Sequence, residues 1–172
     1  MNNVTRYSAL QRKLHWLVVL LVALQFLLQS AMKEAMQSID SNEAISLGQF
    51  LVTSVHTWGG IGIGGLMLYR LWLRAHNPVA AGAGQLGKRI QLLSLCMHWG
   101  FYGLLLLMAL SGMLSYYFDQ SWASKWHWLG KWLLAAMICL HTLAALLHHF
   151  WKKDDVLRQM LGNGRHTDTM AD

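Results

Sequence analysis

Four long apolar runs alternate with short polar stretches along the chain. The runs cover about 14–32, 47–73, 90–117 and 127–151. Each reaches the roughly 20 residues that an α-helix needs to cross the hydrocarbon core of a bilayer. None reads as a barrel strand, which needs only about ten alternating residues. The pattern predicts an all-α membrane protein: a four-transmembrane-helix bundle forming one domain over residues 1–160. Between the runs, 33–46 is polar, 77–87 is turn-rich with Pro78 and three glycines, and 119–126 is a short connection. The segment 161–172 is polar and is expected to be a flexible tail. The first run follows Arg12 and Lys13 as the apolar part of a signal peptide would. It is long enough to span, however, and it carries a histidine, so it is expected to stay in the protein.

Composition agrees with the pattern. The 172 residues are 55% hydrophobic and only 13% charged, outside the range of an ordinary soluble domain. Tryptophan outnumbers phenylalanine nine to five, and its amphipathic ring favours the lipid–water boundary. The charge is +6, and its placement matters more than its size. Arg6, Arg12, Lys13, Arg70, Arg74, Lys88, Arg89, Lys152, Lys153, Arg158 and Arg165 fall on the side of the chain termini, against Lys33, Lys125 and Lys131 opposite. Eleven against three predicts both termini on the cytoplasmic side, by the positive-inside rule. The basicity is a topology signal and not a nucleic-acid footprint. Cys96 and Cys139 lack CxxC spacing and are expected to be small core residues. Gly59, Gly60, Gly62, Gly64 and Gly65 crowd the second run. They suit close helix approach, or room for a flat macrocycle; no strand or Gly-Lys-Ser/Thr marks a phosphate loop.

The chemistry lies in the histidines. There are nine, and His76 and His166 sit where water reaches them. Ionisable groups within lipid are costly and point to function. His127 and His141 are fourteen residues apart on one run. That spacing is nearly four turns and about 21 Å, so both face one way at two depths. Helix direction sorts the others: His56 shares the outer level with His127, and His15 the inner level with His141. Paired imidazoles from different helices at two levels suit two haem groups, each held by two neutral imidazoles. Zinc fits poorly, because no HExxH motif is present and no Asp or Glu lies within a run. No CxxCH motif occurs either, which excludes covalent c-type attachment.

Other residues have more open roles. His148 shares the face of His141 and is an alternative inner ligand, but would put the two levels about 31 Å apart, nearly the whole core thickness. His98 and His148 suit haem-propionate contacts, proton relay or a quinone pocket, or are simply interfacial. Arg70, fourteen residues after His56, suits a propionate fork or a snorkelling cation. Lys125 and Lys131 flank His127 and can steer a small anion, or anchor the helix in head groups.

The motifs QRKLHWLV, VHTWGG, MHWGFYGLLL, WHWLG and LHTLAALLHHFWKKDD resemble those of the bacterial cytochrome b561 family, in particular its superoxide oxidase type, over residues 11–160. The resemblance implies a bacterial inner-membrane (plasma-membrane) protein carrying two haem b groups. His15 and His141 would ligate the inner iron, and His56 and His127 the outer one. It implies electron transfer from an extracytoplasmic donor, superoxide oxidised to dioxygen, to membrane ubiquinone. The alternative is an electron-relay anchor for a soluble dehydrogenase or other partner protein, with Trp122, Trp126 and Trp128 as a docking rim. The chain departs from the family in its short connection before the fourth run and its Ala/Gly-rich 77–87 segment.

Overall fold

The computed structural model describes residues 8–76, 88–151 and 156–162; the turn-rich stretch 77–87, the tail from 163 onward and the charges Arg6, Lys152, Lys153 and Arg165 lie outside the described residues. Six helices occur among them: α1 (Ala9–Leu27), α2 (Gln29–Asp40), α3 (Leu47–His76), α4 (Lys88–Phe118), α5 (Ser121–Phe150) and α6 (Val156–Leu161). Four are long and apolar enough to cross a membrane: Ala9–Leu27, Leu47–His76, Ile90–Phe118 and Ser121–Phe150.

Two starts follow the same local rule. In Ser8-x-x-Gln11 the serine hydroxyl accepts from the Gln11 amide at 3.2 Å, and the Gln11 side chain accepts from the Ser8 amide at 3.0 Å. Ser46 and Gln49 repeat this box at α3, with distances of 3.2 and 2.8 Å. Each box satisfies two amides that a helix start leaves orphaned. It also explains why the first helix begins at Ala9, ahead of its apolar run.

Three boundaries differ from the hydropathy pattern. The first run ends as α1 at Leu27, and the chain continues as α2 to Asp40. Leu28 joins them in near-helical geometry, its amide donating to the Leu24 carbonyl at 3.0 Å and its carbonyl accepting from Met32 at 2.8 Å. The stretch expected as a polar connection is thus largely helix. Ala31, Ala35 and Ile39 recur every four residues, and Ala35 is fully buried as α2 packs on α3. The expected connection 119–126 shrinks to Asp119 and Gln120. Asp119 takes a left-handed φ of 49°, and α5 starts at Ser121. Finally, α6 follows α5 and reaches Leu161. Arg12 donates to the Gln159 carbonyl at 3.3 Å and Trp16 to the Met160 carbonyl at 3.0 Å. This short helix therefore ties α5 to α1.

The packing order is uneven. Helix α4 lies against both α3 and α5, α1 and α2 lie against α3, and α6 lies against α5. Among the described residues α5 makes no sustained backbone contact with α1 or α3. At the α4–α5 contact His98 and Phe101 meet His141, Gly100 meets Met137, Leu104 and Met108 meet Gly130, and Gly112 meets His127. These contacts recur at helical spacing along both helices, the pattern of antiparallel helices in close contact. Glycines receive the large side chains. A Cβ at Gly130 would lie 2.6 Å from Met108 Sδ, and one at Gly100 would lie 2.9 Å from Met137 Cε. At the α3–α4 contact a Cβ on Gly64 would lie 2.9 Å from that of Ala109. Lipid is as apolar as leucine, so such close packing, and not hydrophobic burial, holds membrane helices together.

The core is a thin middle layer: Val18, Val22, Ile63, Met67, Tyr102, Leu105 and Leu134 are buried together. Outward-facing apolar residues abound; Leu20 and Leu93 are each 67% exposed. Cys96 and Cys139 are also exposed, which corrects the expectation that they lie in the core. Neither belongs to the inward faces just described, and hydropathy does not separate a lipid-facing position from a buried one.

Gly64→Leu should push α3 off α4 and destabilise the fold by about 1–3 kcal/mol, read as a lower thermal midpoint in detergent. Gly65→Ala meets nothing within 4 Å and should leave the midpoint unchanged or slightly higher.

Candidate functional site

The gap beside α5 is bridged by rings at two levels. At the end of the bundle away from the chain termini, His56 of α3 faces His127 of α5, with ring centroids 6.3 Å apart and planes at 67°. At the terminal end His15 of α1 faces His141 of α5, at 6.5 Å and 60°. The apolar core layer fills the space between the levels. An imidazole nitrogen sits about 2 Å from a first-row metal, so two rings in trans across one ion have centroids about 6.3 Å apart. Both pairs match that separation.

The far-end pair lines a half-open, largely apolar pocket between the helices. Its walls come from every spanning helix: Val22 and Phe26, His56 and Gly60, Leu105 and Met108, His127 and Leu134. A Cβ at Gly60 would meet nothing within 4 Å, so this glycine leaves open room beside α3. Gln25, Gln29 and Lys131 add polar groups, and the Gln25 amide nitrogen is buried without a partner.

Each imidazole has its own surroundings. His127 Nδ1 lies 3.0 Å from the Met108 carbonyl and 3.3 Å from the Ser111 hydroxyl. Donation to that carbonyl puts the proton on Nδ1 and leaves Nε2 free for a metal. His56 Nδ1 is buried without a partner. The His141 ring meets His98 at 5.8 Å and Phe101 at 5.3 Å, both nearly perpendicular. His98 Nδ1 donates to the Ser94 carbonyl at 2.6 Å, so its Nε2 carries the lone pair.

The sequence model of prokaryotic cytochrome b561 matches residues 6–163. The chain belongs to this family. It is 27% identical to a cytochrome b562 of Cereibacter sphaeroides, over 90% of this chain and 94% of that protein. It is also 27% identical to the "probable superoxide oxidase CybB" of Yersinia pestis, over 93% of this chain and 98% of that protein. It is therefore a bacterial membrane cytochrome b with an electron-transfer, oxidoreductase role, and the family implies haem b.

The residues fit that group. Among the described residues no three His, Cys, Asp or Glu side chains converge into a metal cage. The imidazoles come as facing pairs. A pair completes an iron whose other four donors belong to a macrocycle, and the gap beside α5 with the bare Gly60 surface provides a slot for it.

The remaining candidates separate by place. His98 lies beside His141. His148 is half-buried two turns further along α5, and the ring that faces His15 is that of His141. Arg70 is half-buried at the terminal end with Nη1 lacking a partner. Lys131 lines the far cavity with its ammonium 4.8 Å from the Trp132 ring, and Lys125 is exposed. His76 caps its own helix, its Nδ1 2.9 Å from the Trp72 carbonyl. Sequence reasoning missed Gln25, Phe101, Met108, Ser111 and Gly112. For Phe101, Met108 and Gly112 the signal was present: all three share the three-and-four face of α4 that starts at His98. Gln25 and Ser111 needed the fold.

Gly60→Leu should fill the far-end cavity. The purified variant is expected to keep its helical circular dichroism and to lose the part of its b-type absorbance that belongs to the far-end level, with the terminal-end part retained.

Proposed function

We propose that the protein is a di-haem cytochrome b of the bacterial inner membrane that takes electrons from superoxide on the extracytoplasmic side, releasing dioxygen, and delivers them to membrane ubiquinone. The observation that carries this reading is the two imidazole pairs spanning the gap beside α5, at 6.3 and 6.5 Å. His56 and His127 would then hold the outer haem b, and His15 and His141 the inner one. The domain is the single unit 1–160, with both termini cytoplasmic. The eleven-to-three division of cations supports that orientation, and the name of the Yersinia pestis relative supports the donor.

Haem b, when bound, supplies the one-electron redox chemistry. The chain's own groups do the rest. Met108 and Ser111 hold the proton on His127 Nδ1 and keep Nε2 as the ligating atom. Lys131, at the cavity, and Lys125, exposed nearby, draw a small anion to the outer end. Arg70 places its unpaired Nη1 for a propionate at the inner end. Two superoxide anions give two dioxygen molecules and two electrons. Ubiquinone takes those electrons with two protons, and His98 Nε2, open because Nδ1 serves Ser94, carries a proton at that end. His148 is a second proton carrier on the same side.

The relay reading has one observation in its favour: Trp122, Trp126 and Trp128 are each more than half exposed at the outer rim, a surface on which a soluble redox protein can dock.

The reduced-minus-oxidised spectrum of the purified protein should show two low-spin b-type centres. His56→Ala or His127→Ala should remove one, His15→Ala or His141→Ala the other, and His148→Ala neither. Loss of a centre in His148→Ala with both kept in His141→Ala would reverse the inner assignment. Rapid mixing with superoxide should reduce the outer centre directly, at a rate that falls with added salt, and Lys131→Glu should slow it several-fold. Silence until a protein partner is added would establish the relay instead.

A further inference from the structure

Helix α4 supplies none of the four proposed ligands, yet it touches both ligand rings of α5. At the terminal end His141 sits between His98 and Phe101, which lie three residues apart on α4. Their planes cross that of His141 at 88° and 79°. Two edge-on rings, one turn apart, restrict rotation of the imidazole between them. His98 cannot turn freely either, because its Nδ1 is tied to the Ser94 carbonyl at 2.6 Å. At the far end the restraint is of another kind. The Met108 carbonyl and Ser111 hydroxyl hold His127 Nδ1. Gly112 lies flush against the same ring: a Cβ there would come 3.1 Å from Cε1 and 3.2 Å from Nδ1.

We propose that α4 is the positioning helix of the site, fixing the ring plane of His141 through His98 and Phe101 and that of His127 through Met108, Ser111 and the bare surface of Gly112. The proposal rests on the reading that these two histidines ligate iron. The restraints differ in character, so the two sites are tuned independently. A hydrogen bond fixes Nδ1 of His127, whereas His141 is oriented by ring contacts. His98 and Phe101 are positioning residues, acting on the iron only through His141.

The angle between two axial imidazole planes sets the g-values of a low-spin ferric centre, so electron paramagnetic resonance reads ring orientation directly. The oxidised wild-type protein is the reference, its two signals assigned by their loss in His127→Ala and His141→Ala. Phe101→Leu removes one jaw of the clamp. It should displace the largest g-value of the His141 signal and leave the His127 signal in place. Phe101→Tyr keeps the ring and should restore the wild-type spectrum. Gly112→Ala should do the reverse, displacing the His127 signal alone. In each variant the unmoved signal certifies an intact bundle. Two unmoved signals in both Phe101→Leu and Gly112→Ala would overturn the proposal while leaving the di-haem reading intact. Two signals moving together in each variant would also overturn it, since the effect would then be general. A wild-type protein without low-spin ferric iron would overturn the di-haem reading and this proposal with it.

Discussion

A bundle in lipid gains nothing by closing a gap with more apolar surface, because the solvent is already apolar. Among the described spanning helices, what keeps α5 in place is close contact with α4. Glycines on α4 and α5 receive methionines from the opposite helix, and Gly112 receives an imidazole. That one tight seam lets α5 stand off from α1 and α3. The space so left is where the histidines of three helices meet. A soluble four-helix protein would lose the gap to collapse; here it persists because packing density, and not water, decides which helices touch.

The seam also explains the division of labour. Helix α5 carries one imidazole at each end of its inward face, and the thin core layer of Val18, Val22, Ile63, Met67 and Leu134 separates the two levels. Helices α1 and α3 each return one imidazole from across the gap. Helix α4 controls where the α5 rings stand. At the terminal end α6 spans from α5 to α1 through main-chain carbonyls that accept from Arg12 and Trp16. The opening between those two helices is thereby limited at one end by the chain itself. At the other end α2 extends α1 beyond the apolar run and packs on α3, bringing Gln29 to the mouth of the cavity. Polar groups thus collect at the rim, and the middle of the bundle stays apolar.

Much of this was legible in the sequence. The spans, their alternating direction and the pairing of four histidines into two levels followed from run length and the axial rise per residue. The family's own motifs added to the same reading. The extra helix α2, the start of α5 at Ser121 and the outward position of both cysteines were not read. Each depends on where a helix lies relative to lipid, which hydropathy averages away. The serine-glutamine boxes at Ser8 and Ser46 were visible signals that went unused.

The sequence by itself determined the four membrane helices, their order and the fourteen-residue spacing between His127 and His141, because these depend only on local apolarity and helical geometry. Only the tertiary structure decided that the His15 and His56 rings meet their α5 partners at 6.5 and 6.3 Å, and that Phe101, Ser111 and Gly112 fix those partners. Those facts arise from rotation of each helix about its own axis. That rotation is set by which glycine accepts which neighbouring side chain, and it leaves no mark in the hydropathy of any single run.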